Sequence, residues 1–84
     1  MSEVVTPDSV RAFIEQELID FGAEPEAVSD DVSLDELDID SLAVVELVAS
    51  VKRRFAVDIP FEDIPRSSTV AAVCDLIRAR AQAA

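Results

Sequence analysis

Ser41 stands directly after Asp40 and ahead of an apolar helical run, and its hydroxyl could serve either as a nucleophile or as the acceptor of a phosphoester. A serine nucleophile needs an adjacent base, most often histidine, and the chain has none. The single lysine, Lys52, lies eleven residues further along the same helix, about three turns away and out of reach. Catalysis by the chain itself is therefore not expected. A phosphate esterified to Ser41 is better placed, because the first turn of a helix offers backbone N–H groups and the positive end of the helix dipole. Taken alone, Asp-Ser ahead of an apolar helix is an ordinary capping pair.

The other candidate chemistry is weaker. Cys74 shares an apolar helical face with Val70, Val73 and Ile77, the setting of a structural thiol. The acidic residues Asp30, Asp31, Asp35, Glu36, Asp38 and Asp40 suggest calcium, but no register supplies both the glycine and the glutamate that an EF-hand loop requires. No metal site is assigned to them.

The elements that must position Ser41 are helical. Thr6-Pro7-Asp8 reads as a helix start, with Thr6 as N-cap and Pro7 where a missing N–H costs nothing. Val10, Phe13, Ile14, Leu18 and Phe21 then share one face, and Gly22 ends a first helix of Pro7 to Phe21. A long acidic connection follows to Asp40, with Val28, Val32, Leu34, Leu37 and Ile39 spaced as anchors into a core. A second helix starts at Asp40, its N-cap, and runs to Phe55, ahead of Ile59-Pro60. At 100° per residue Val44, Leu47, Val48, Val51 and Phe55 form its core stripe, while Leu42, Glu46, Ala49 and Arg53 face outward and Val45 lies at the margin. Between Pro60 and Pro65 a short helical turn is expected, with Phe61 and Ile64 directed inward. Ser67, Ser68 and Thr69 offer N-caps for a last helix whose apolar face is Val70, Val73, Cys74, Ile77 and Ala81. The fold class is all-α: a small bundle of three main helices and one short one, with a long loop between the first two.

Composition narrows the function. The chain has 84 residues, half of them apolar, with no Trp or Tyr and one Gly, which fits a single domain (1–84) around an aliphatic core. Eighteen acidic against seven basic residues give a formal charge of −11. That field repels nucleic acid and anionic membranes and favours basic protein partners. One cysteine excludes an intramolecular disulfide. Met1 to Val5 lack a secretory pattern, and no apolar run reaches the ~20 residues needed to cross a bilayer, so a cytoplasmic monomer without membrane insertion is expected.

The stretch from Leu34 to Leu42, Leu-Asp-Glu-Leu-Asp-Ile-Asp-Ser-Leu, followed by Val44-Val45-Glu46-Leu47 and by Phe55-Ala56-Val57-Asp58-Ile59-Pro60, closely resembles the acyl carrier protein family. The order of elements matches over nearly the whole chain. The resemblance implies that Ser41 carries a 4'-phosphopantetheine arm, and that Asp40 is its motif partner, helping a phosphopantetheinyl transferase and its metal engage the serine. It implies that Leu42, Val45 and Glu46 belong to the surface met by partner enzymes; Ala49 and Arg53 lie on the same outward face. Acyl intermediates would be held as thioesters for fatty acid, polyketide or related lipid synthesis, with acyl-transferring and chain-elongating synthase enzymes as partners. The neighbouring readings are a peptidyl carrier of nonribosomal synthesis, whose motif more often begins Gly-Gly, and a non-covalent acidic interaction module. Met1 and the absence of linker-like ends suggest a free-standing carrier.

Two positions depart from the family pattern. Where the family often has Gly, two residues before the motif Asp, this chain has Asp38, so the loop need not use a left-handed backbone there. Lys52-Arg53-Arg54 stand near the end of the second helix, where fatty-acid carriers tend to remain acidic. They either pair with the helix dipole or form a patch specific to a partner.

Overall fold

A computed structural model describes residues 6–83, which leaves the sequence reading of Met1 to Val5 outside the described residues. Three α-helices, α1 (Pro7–Asp20), α2 (Ser41–Phe55) and α3 (Val70–Ala83), are joined through two 3-10 turns, Pro25–Ala27 and Phe61–Asp63. No strand forms among the described residues; the one β-bridge pairs Ser33 with Thr69. The all-helical expectation holds, with the Pro25–Ala27 turn as an addition.

Each helix starts and stops for a local reason. At the start of α1 the Thr6 hydroxyl accepts from the Ser9 N–H at 3.1 Å and the Ser9 hydroxyl accepts from the Thr6 N–H at 3.0 Å, a reciprocal capping box with Pro7 just inside it. Its end is a Schellman arrangement: Gly22 donates to Ile19 O at 2.9 Å and Ala23 to Leu18 O at 3.0 Å. Gly22 takes φ +113°, which a side chain would resist. The Thr69 hydroxyl caps α3 by accepting from the Ala72 N–H at 3.1 Å.

Helix α2 ends at Ala56, whose φ of 59° and ψ of 33° are left-handed, and its N–H donates to Lys52 O. A non-glycine residue pays a steric penalty in this conformation, and the Ala56 methyl is exposed, so it contributes little packing in return. Ala56→Gly is expected to stabilise the fold by about 0.5–1 kcal/mol, read as a higher denaturant midpoint at unchanged m-value.

The apolar stripes meet in one core. Val10, Ile14 and Leu18 of α1, Val44, Leu47 and Val51 of α2, and Val70, Val73 and Ile77 of α3 are buried, and α1 packs chiefly on α3. Val28, Leu34, Leu37 and Ile39 pin the long connection as expected, with Val32 half-buried against them. Phe61 corrects the sequence reading. Ile64 is buried, but Phe61 is 42% exposed. Residues three apart share an edge only while the backbone stays helical, and Ile64 has left it, with φ −120° and ψ 77°. Its side chain therefore turns into the core without bringing Phe61 along.

Cys74 lies in this core on α3, 6% exposed, and burial pushes its thiol from the ordinary 9.0 up to about 11. A thiol-disulfide reagent at pH 8 should label it only as fast as the protein opens, so that added denaturant accelerates labelling steeply. The sign of the pH effect follows. The folded state holds its proton more tightly, so this stability is intact below about pH 9 and declines as pH rises toward 11.

Candidate functional site

The start of α2 is built by the loop before it. Ser33 donates its N–H to the Glu36 carboxylate at 3.0 Å, and Glu36 returns its N–H to the Ser33 hydroxyl at 3.1 Å. This second capping box opens a single helical turn and holds the Glu36 carboxyl below its ordinary range, chiefly through the Ser33 backbone N–H. The turn closes when Ile39 donates to Leu34 O at 3.0 Å and Asp38 to Asp35 O at 3.1 Å.

A bond spanning six residues in this way needs a left-handed residue next to last, and Asp38 supplies it with φ 59°. The sequence reading that Asp38 frees the loop from a left-handed backbone is thereby corrected. Aspartate is among the few non-glycine residues that take this conformation readily, so the backbone shape survives the loss of glycine.

The loop is then tied to the segment ahead of α3. Leu34 donates to Ser68 O, Asp35 to Arg66 O, Val70 to Val32 O and Ala71 to Asp30 O, all within 2.9–3.1 Å. Arg66 adds a clamp: its Nε donates to Ile39 O at 2.8 Å while Nη2 meets the Asp35 carboxylate at 2.8 Å. Ile39 O lies two residues before Ser41, so the chain enters α2 at a fixed angle.

At that entry the Asp40 carboxylate accepts from the Ala43 N–H at 2.8 Å, and Asp40 O accepts the first intrahelical bond, from Val44. Ser41 and Leu42 precede that bond, so their N–H groups have no intrahelical acceptor. Ser41 is exposed. Around it Leu42 is 68% and Val45 48% exposed, and Glu46, Ala49 and Arg53 are exposed further along. Helical spacing placed four of these five outward; Val45, read as marginal, joins them.

Sequence reasoning missed the Ser33–Glu36 box and Arg66. The first has a local signal, Ser-x-x-Glu. The second has none, because Arg66 and Ile39 are 27 residues apart. The acidic loop residues do not converge: no group of three possible ligands able to hold a metal ion occurs among the described residues.

An exposed serine at a helix start, rigidly framed and flanked by exposed aliphatic side chains, is placed to present an attached group to partners. The family described as "Phosphopantetheine attachment site" matches residues 11–77, and the chain belongs to it. It is a phosphopantetheine-carrying carrier protein, with 4'-phosphopantetheine as its covalent cofactor. Such domains work with phosphopantetheinyl transferases and synthase enzymes and are generally not catalytic themselves. No solved structure matches the chain.

Proposed function

We propose that the chain is an acyl carrier protein in which Ser41 bears the phosphopantetheine arm. The observation that carries this reading is the exposed Ser41 hydroxyl in the first turn of α2, where Asp40 caps the Ala43 N–H and the Ser41 and Leu42 N–H groups have no intrahelical acceptor. A phosphodiester there gains from those donors and from the helix dipole, worth about 0.3–1 kcal/mol for an exposed anion. Bound to the serine, the cofactor supplies a thiol that holds a carboxylic acid as a thioester.

The chain's own residues orient and present. Asp40 fixes the helix start and lies beside the hydroxyl, where a transferase and its metal would engage it. Leu42, Val45, Glu46, Ala49 and Arg53 form the face offered to acyl-transferring and chain-elongating enzymes. Exposed aliphatic side chains give such a face contact energy, and Glu46 gives it a preference for cationic partners. Leu37-Asp38-Ile39-Asp40 favours the acyl over the peptidyl branch, and the absence of histidine favours a carrier over an enzyme. In this reading the protein is a single-domain cytoplasmic monomer serving fatty acid, polyketide or related lipid synthesis. No helix among the described residues is long and apolar enough to cross a membrane.

The test is intact mass after incubation with coenzyme A, magnesium and a broad-specificity phosphopantetheinyl transferase. A gain of one phosphopantetheine, mapped to the peptide containing Ser41, supports the reading. Modification at another residue, or none on folded protein, overturns it.

A further inference from the structure

Residues 30–35 are tied to residues 66–71 by four main-chain hydrogen bonds, and that tie ends at Asp35. Beyond it lie the turn and the Ile39-Asp40-Ser41 entry to α2. Hydrogen bonds of residues 36–41 stay local, between positions 33 and 44, with one exception among the described residues: the Arg66 side chain.

Arg66 is firmly mounted. It follows Pro65 in a turn closed by the Ser68 N–H on Pro65 O at 2.8 Å, and its own carbonyl accepts the Asp35 N–H at 2.9 Å. From there one edge of the guanidinium serves two acceptors, Nε meeting Ile39 O and Nη2 the Asp35 carboxylate, each at 2.8 Å. Arg11, Arg78 and Arg80 also pair with carboxylates. Of these four arginines, Arg66 alone holds a main-chain carbonyl as well.

The carbonyl it holds governs the geometry of the helix start. Ile39 is 2% exposed, and among the described residues Arg66 is the one donor to its oxygen. Ile39 O, the Asp40 nitrogen and the Asp40 Cα share a peptide plane. Holding the oxygen therefore sets the direction in which the Asp40 carboxylate and the Ser41 main chain leave that plane.

We propose that Arg66, braced by Asp35, is a positioning residue for the modification of Ser41. It orients the Ile39–Asp40 peptide so that the Asp40 carboxylate and the Ser41 hydroxyl meet a phosphopantetheinyl transferase already arranged. This rests on the reading of Ser41 as the attachment residue, and adds to it a side chain that hydrogen-bonds to neither Asp40 nor Ser41. A planar fork with two parallel N–H groups suits the task; a lysine ammonium, a point charge with no such edge, does not. Misplacement of a reacting group by about 1 Å can cost as much as ~10²-fold in rate, so a loosened entry shows in turnover.

The test compares the full wild-type chain with Arg66→Gln, Arg66→Lys and Asp35→Asn as substrates of a broad-specificity phosphopantetheinyl transferase. Coenzyme A and magnesium are in excess, kcat and KM for the carrier are measured separately, and circular dichroism and denaturation verify each fold. Both Arg66 variants are expected to lower kcat roughly tenfold with KM within about twofold, because the Leu42, Val45 and Glu46 face is unchanged. Asp35→Asn, which keeps the Nε donor, should lower kcat about threefold and add nothing in combination with Arg66→Gln. Asp35 is exposed, so this variant tests the bracing even where loss of the arginine unfolds the chain. A merely structural role reads differently: a smaller folded fraction raises the apparent KM and leaves kcat at saturation. In ¹⁵N spectra of Arg66→Gln, amide shifts should concentrate at Asp35 and Ile39 to Leu42 and spare α1. Wild-type kcat in either Arg66 variant, a loss confined to KM, or shifts spread through the core would overturn the proposal and leave the attachment reading intact. Wild type that gains no phosphopantetheine at Ser41 would overturn that reading and the proposal with it.

Discussion

Ser41→Ala is expected to fold like the wild type and to gain no mass with coenzyme A and transferase, while the wild type converts fully. The effect is all or none, because a methyl group has no oxygen to esterify. The substitution isolates the chemistry because of how the first turn is built. The cap of α2 is the Asp40 carboxylate on the Ala43 N–H, and the first intrahelical bond ends on Asp40 O. Ser41 is exposed, and alanine is the best helix former, so the stability change should stay within about 0.5 kcal/mol. Matching circular dichroism and denaturation curves for the two proteins would assign any loss of modification to the hydroxyl. A variant that still gains the full mass would place the attachment elsewhere.

Leu47→Ala should carry the largest loss of stability of any conservative change in α2. Leu47 is fully buried between Val44 and Val51 on the core stripe, and removal of its isobutyl group leaves a cavity that the surrounding helices close only in part. Such changes cost ~2–5 kcal/mol, against a total of ~4–13 kcal/mol for a domain of this length. The denaturant midpoint should therefore fall by roughly 15% or more, with part of the population unfolded in water where the cost approaches the total. Leu42→Ala, the same chemical change five residues earlier, is the internal control. That side chain is 68% exposed, and its stability effect should stay within about 0.5 kcal/mol. If both variants lost equal stability, the assignment of core and outward faces would be wrong.

That contrast also shows why so much was legible beforehand. Burial of one helical face imposes a period of 3.6, so Val10 to Leu18, Val44 to Phe55 and Val70 to Ile77 announce their elements. Caps are equally local: Thr6, Gly22, Asp40 and Thr69 act within four residues of their own positions. The place of Ser41 at the exposed start of α2 followed, because it is fixed by the cap and by the helix start. What escaped depends on partners distant in sequence or on backbone angles that composition leaves open. Asp38 is left-handed because Ile39 must reach Leu34 O, and Phe61 faces outward because Ile64 abandons the helical turn. Arg66 clamps Ile39 across 27 residues, a contact with no local pattern.

The tie between residues 30–39 and 66–71 has a consequence for biosynthesis. A ribosome delivers Ser41 well before Arg66, Ser68, Val70 and Ala71, whose backbone and side chains fix the loop leading into α2. A nascent chain that has released only α1 and α2 has neither the Arg66 clamp nor the α3 face on which α1 packs. The serine's surroundings are thus completed by a segment that emerges later than the serine itself. A transferase that reads the folded loop would act only once α3 has emerged, passing over chains that stop short of it and sparing its coenzyme A.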